Sequence, residues 1–186
     1  MKYVLVVVGV VMALFILLLV ALNRGGSPQQ ALSKPVVLSE QANASTSVRM
    51  TMQGRLVGET ERRAVAITIS DTERRFEILS GFNETVIRTE TFSNTAAGYE
   101  TFLLALGQAG FSKDRESNLP DERGACPLGR RFVYELLHED NKNTFRTWDT
   151  TCNNAPGTFG GESRVIRNLF QAQIPEYHKL LRGTRF

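Results

Sequence analysis

The 186-residue chain carries 22 Lys and Arg against 19 Asp and Glu, a formal net charge of +3, and 42% of its residues are hydrophobic. Setting aside Lys2 and Arg24, which flank an apolar N-terminal run, brings the two charge types almost level, and this argues against a general nucleic-acid binder, which needs a marked basic excess. The remaining length suits one core of ordinary size.

Residues 4–22 contain no charged side chain. A helical run of that length matches the roughly 30 Å hydrocarbon core of a bilayer, and a helix satisfies its own backbone amides there despite the weak helix propensity of valine in water. A cleaved signal peptide has a shorter apolar stretch, roughly 7 to 15 residues, ending in a small-x-small site. Ala21-Leu22-Asn23 is a poor site of that kind. The sequence therefore predicts an uncleaved single-pass transmembrane anchor over residues 1–23, with the lipid bilayer as partner through residues 4–22. Flanking charge leaves orientation nearly balanced, Lys2 on one side against Arg24 and Lys34 on the other. Residues 24–47 hold Gly25-Gly26, Pro28 and Pro35, no aromatic residue and no sustained period, the composition of a linker or stalk. Within it, Val36-Val37-Leu38 is the stretch able to add a strand.

A period of two begins at Val48, where Val48, Met50 and Met52 alternate with Arg49, Thr51 and Gln53. Further strands are expected over residues 64–69, 75–79 and 84–90, close enough for an antiparallel meander. The period then changes. Tyr99, Phe102, Leu103 and Leu106 share one face of a helix expected over residues 95–109, with Asn94 as N-cap and Gly110-Phe111 as the stop. Residues 112–125 lack periodicity and read as a long exposed loop. A hairpin of residues 131–137 and 144–150 follows, turning through the polar residues 138–143. Val165, Ile166, Leu169 and Phe170 predict a helix over residues 162–173, kinked or ended by Pro175, with a further turn at 177–181. Strands grouped together and helices apart from them indicate an α+β domain over residues 48–186: an antiparallel sheet of about six strands, meander plus hairpin, packed with two helices.

Cys126 and Cys152 bracket the hairpin, and a hairpin returns its chain to where it began. That places the pair within disulfide reach, and a disulfide implies an oxidising compartment. With the anchor, it puts the domain on the non-cytoplasmic side of a cell membrane. Two buried free cysteines are the alternative.

Motifs of chemistry are few. His138 and His178 are not spaced to pair with other ligands, and there is no His-Glu-x-x-His, no phosphate loop and no Gly-x-Ser-x-Gly elbow. No catalytic, cofactor or metal residue is assigned. Gly157-Thr158-Phe159-Gly160-Gly161 precedes a helix but reads as a loop. The doublets Arg62-Arg63, Arg74-Arg75 and Arg130-Arg131 read as solvated strand ends balanced by Glu59, Glu61 and Glu73; gathered on one rim they would suit a polyanion. In the hairpin, pairing Glu135 with Arg146 sets Val133 beside Trp148 on a mixed face, opposite Phe132, Tyr134, Leu136 and Phe145. Trp148, Glu135 and Arg146 are thus candidate contacts for a protein or glycan partner. The alternative is a structural Trp148 covered by the C-terminal helix.

The stretch Ala125-Cys126-Pro127-Leu128-Gly129-Arg130-Arg131-Phe132-Val133-Tyr134-Glu135-Leu136, with Trp148-Asp149-Thr150-Thr151-Cys152, Gly157 to Gly161 and Phe170-Gln171-Ala172-Gln173-Ile174-Pro175, resembles small bacterial proteins with one N-terminal membrane anchor and an extracytoplasmic domain. The resemblance implies a bacterial cell-surface setting and brings no activity or catalytic residue with it. The expectation is a non-enzymatic binding or envelope-assembly module. The alternative is a cell-envelope enzyme with a site scattered over loops, and a pilin-like subunit is a poorer match because the apolar run lacks a processing site and an early acidic residue.

Overall fold

A computed structural model describes residues 38–41, 45–138 and 143–184. The expected anchor over residues 4–22 and most of the stalk lie outside the described residues; among those described, no helix is long and apolar enough to cross a membrane.

Six antiparallel strands form one sheet: β1 (Thr46–Gln53), β2 (Arg63–Ile69), β3 (Glu73–Ser80), β4 (Thr85–Ser93), β5 (Arg131–His138) and β6 (Asn143–Thr150), in the order β4-β3-β2-β1-β5-β6. The first four are the expected meander. The chain then crosses over and returns on the free side of β1, where β5 pairs along its whole length, Thr46 against His138 through Gln53 against Arg131. The first strand in sequence therefore stands inside the sheet.

Alternation sorts the sheet into two faces. Val48, Met50 and Met52 of β1, Val65, Ile67 and Ile69 of β2, Phe76 and Ile78 of β3, Phe132, Tyr134 and Leu136 of β5, and Phe145 of β6 lie in one buried cluster. The helices supply the rest of it. In α1 (Ala96–Gln108) the buried residues are Tyr99, Phe102, Leu103 and Leu106, and in α2 (Ser163–Ala172) they are Ile166 and Phe170. The short α3 (Tyr177–Leu180) adds Tyr177. Phe102 meets Phe170 edge to face, ring centroids 5.2 Å apart, a geometry worth about 0.5–1.5 kcal/mol beyond the area buried. The two amphipathic sets in sheet and helix do share one core.

Helix ends follow local chemistry. Thr95, not Asn94, caps α1, its Oγ1 accepting the Gly98 amide at 3.1 Å; Asn94 Nδ2 instead donates to the Ser70 carbonyl at 2.6 Å, tying the helix start to the β2–β3 turn. At the other end the Phe111 amide donates to Leu106 O and the Gly110 amide to Gly107 O, with Gly110 at φ +77°. This is a Schellman stop, which needs a left-handed residue that glycine supplies without strain. Phe111, fully buried, then enters the core.

The domain begins earlier than alternation suggests. Leu38–Gln41 forms a 3-10 turn, and Leu38 is buried in the same core; Val36 and Val37 of the expected strand lie outside the described residues. Leu38 therefore belongs to the packed domain, earlier than the expected start at residue 48.

Candidate functional site: the polar face of the sheet

The opposite face of the sheet is built from the other alternation set. Reading across the strands, the register aligns Thr91, Arg75, Thr68, Arg49, Glu135 and Arg146 in one row, and Thr89, Glu77, Ala66, Thr51, Val133 and Trp148 in the next. The middle of both rows is a floor of small residues on β1 and β2. Because Ala66 and Thr68 project little, Arg49 of β1 and Glu77 of β3 reach over β2 to within 4.0 Å. Arg75 holds Glu73 at 3.4 Å and Glu77 at 3.8 Å.

The β5–β6 end carries the second charge group. Glu135 and Arg146 are in the cross-strand register the hairpin sequence implied, with Arg146 Nε 3.5 Å from Glu135 Oε1. Arg146 Nη2 also donates to Glu122 Oε1 at 2.7 Å, and Asn143 Nδ2 to Glu135 Oε1 at 3.0 Å. Glu122 comes from the long loop, which is therefore not wholly exposed: Glu122, Ala125 and Cys126 are buried. Partly exposed pairs of this kind contribute little stability each, so their value lies in a fixed pattern of charge.

Trp148 is 2% exposed. It packs with Val133 and Ala125 in a small cluster, and Gly157 lies against its ring and carbonyl, where any Cβ would collide with the Trp148 carbonyl. The cover thus comes from the two loops, not from the C-terminal helix, which packs on the far side of the sheet. This also accounts for the Gly-rich run: Gly157 admits the Trp148 backbone, and Gly161 lets the start of α2 approach the end of α1, where the Glu162 amide donates to Ala109 O at 3.0 Å. What this corner presents to solvent is Glu135, Arg146 and the covering loop, not the indole.

The arginine doublets do not share a rim. Arg62-Arg63 and Arg130-Arg131 stand at one end of the strands and Arg74-Arg75 at the other, as the pairings of Gln53 with Arg131 and of Ile69 with Arg74 require. Nor are all of them solvated. Arg62 is buried and donates to Gly81 O at 2.6 Å. Arg131 is fully buried, with Nε on Gln53 Oε1 at 3.2 Å, Nη1 on Ala125 O at 3.2 Å and Nη2 on Gly54 O. Burial, and then the nearby Arg62 charge, push the Arg131 pKa down. Arg75 with Glu73 does match the balanced strand-end reading.

Cys126 and Cys152 form a disulfide, with Cα atoms 5.6 Å apart and a sequence separation of 26. It fastens the end of the long loop to the end of β6. The backbone of Cys126 is left-handed at φ +48°, and Gly129 packs so tightly against both sulfurs that any Cβ there would collide with Cys126 Sγ.

Elsewhere, an open cleft of about 540 Å³ lies on the helical side, lined by Gln171, Ile174, Tyr177, His178, Lys179 and Arg182 among others. His138, at the end of β5, is not part of it. Among the described residues no group of three or more His, Cys, Asp and Glu is placed to hold a metal ion. Sequence reasoning found Glu135, Arg146 and the cysteines. It missed Arg49, Glu77 and Glu122 and placed Arg75 only in a strand-end doublet, although Arg49, Arg75 and Glu77 occupy the alternate positions of their strands and were readable as one face. Glu122, from an aperiodic loop, left no such signal. In comparison with known proteins, the sequence matches no family model and no curated protein.

Proposed function

We propose that the chain is held in a cell membrane through residues 4–22 and displays its α+β domain on the non-cytoplasmic side, where it serves as a non-enzymatic binding or envelope-assembly module. The observation that carries this reading is the Cys126–Cys152 disulfide, since such bonds form and persist in oxidising compartments. The uncharged N-terminal run and the resemblance to small anchored bacterial proteins point the same way. The contact surface in this reading is the polar sheet face around Glu135 and Arg146, whose charges are held by cross-strand pairing on a rigid scaffold and suit a protein or glycan partner with complementary polar groups.

Two measurements test it. In cells expressing the full chain, protease added to spheroplasts should degrade the domain, and non-reducing peptide mapping should recover the Cys126–Cys152 linked pair. A protected domain with two free thiols would end the reading. For the contact surface, a photoreactive residue in place of Arg146 should give a discrete envelope adduct that the same residue at Lys179, on the helical side, does not. Equal labelling from both positions, or none from Arg146, overturns the assignment of this face.

A further inference from the structure

We propose that β4 pairs edge to edge with β4 of a second copy of this chain, antiparallel and centred on Thr89, joining two six-stranded sheets into one. The two edges of the sheet differ. At β6 the backbone of Trp148 is occupied, its carbonyl accepting from the Phe159 amide at 2.9 Å and its amide donating to Thr158 Oγ1 at 3.2 Å. At β4, whose residues pair with β3 alone, no backbone hydrogen bond among the described residues closes the outer side. β4 is nine residues long and exposed along most of its length, with Val86 at 48% and Ile87 at 56%. An open edge of this kind is a template for another strand.

The sequence of β4 selects the occupant and the register. Within Thr85-Val86-Ile87-Arg88-Thr89-Glu90-Thr91-Phe92-Ser93, the central Arg88-Thr89-Glu90 is self-complementary. In an antiparallel pair centred on Thr89, Arg88 stands opposite Glu90 of the second copy and Glu90 opposite its Arg88. Thr89 meets its own image. Centring instead on Arg88 or on Glu90 sets that residue against its own like charge, and the intermediate registers leave both charges opposite neutral side chains. Opposite charges directly across a strand pair stabilise it and like charges destabilise it, so one register is favoured on charge alone. Within one chain Arg88 Nη2 already holds Glu90 Oε1 at 2.9 Å with both side chains about 40% exposed, so the two-fold pair would gather four alternating charges. The register shift beside Ile78 makes Ile87 an extra residue in β4 but leaves Arg88, Thr89 and Glu90 in regular pairing with β3. A self-complementary patch is what a two-fold dimer requires.

The test uses the full chain in detergent, with its mass measured by sedimentation across a concentration series. The wild type should pass from monomer to dimer. Arg88→Glu and Glu90→Arg should each weaken the dimer by about tenfold or more, because two attractive contacts turn repulsive together, and the double variant Arg88→Glu/Glu90→Arg should restore it. Arg88 also donates to Leu180 O, so its replacement acts on the fold as well. Thr89→Lys avoids this: the site is exposed, and the change brings two like charges together at the two-fold axis. It should abolish dimers while the melting temperature stays that of the parent monomer. A chain that stays monomeric, a dimer indifferent to all of these charges, or a folded double variant that does not regain the dimer would overturn the proposal.

Discussion

Removal of the Cys126–Cys152 bond offers the clearest quantitative test of how this domain is held together. The bond closes a loop with a sequence separation of 26 residues, for which the chain-entropy relation gives about 3.5 kcal/mol at room temperature. In the folded state the bond lies under cover, with Cys126 3% exposed and Thr151 Oγ1 3.7 Å from its sulfur. Cys126→Ser, Cys152→Ser and the double variant should therefore each lose about 3 kcal/mol, and the three should coincide, because the second substitution removes a constraint already gone. For a domain of this size that corresponds to a fall in Tm of about 10 °C. Urea melts of the oxidised parent, the reduced parent and the three variants would measure it. The reasoning fails if the loss is below about 1 kcal/mol, or if the two single losses add in the double variant, since additivity would mean that each side chain acts by its own packing.

Three further outcomes follow from the packing. Phe102→Ala removes a ring buried against Phe170 and should cost about 3–5 kcal/mol in a denaturant melt. Arg131→Met leaves Gln53 Oε1 and the carbonyls of Ala125 and Gly54 without their donor but also relieves a buried charge beside Arg62; the first effect is the larger, and a loss of about 2–4 kcal/mol is expected in the same melt. The Tyr134 pKa is pushed well above the usual tyrosine value by burial, opposed in part by its hydrogen bond with Ser163 Oγ at 3.0 Å. A folded-state pKa above the unfolded one means stability that is intact below about pH 10 and lost as pH rises beyond it. Tyr134→Phe should be less stable by about 1 kcal/mol at neutral pH yet lose stability less steeply above pH 10, as melts across the alkaline range would show.

Much of the fold was legible because it rests on short-range periodicity. The two-residue alternation of Val48 to Gln53 and of the hairpin, the i, i+3, i+4, i+7 set from Tyr99 to Leu106, and the Gly110-Phe111 stop each express backbone geometry that a few neighbouring residues determine. The register Glu135 with Arg146 and the disulfide came from the same source, since a tight hairpin fixes what lies across from what. Local sequence thus carried most element types, the faces of β1, β2 and the hairpin strands, and the geometric case for pairing the cysteines. Tertiary structure alone decided that β5 lies beside β1, because that pairing joins segments about 80 residues apart through contacts no local pattern encodes. From it follow the alignment of Arg75, Arg49, Glu135 and Arg146 in one row, the pairing of Glu122 with Arg146, and the full burial of Arg131 against the end of β1. It also decided what covers Trp148. Alternation assigns a side chain to a face of the sheet, but whether water, a helix or a glycine-bearing loop lies over that face depends on where distant segments return.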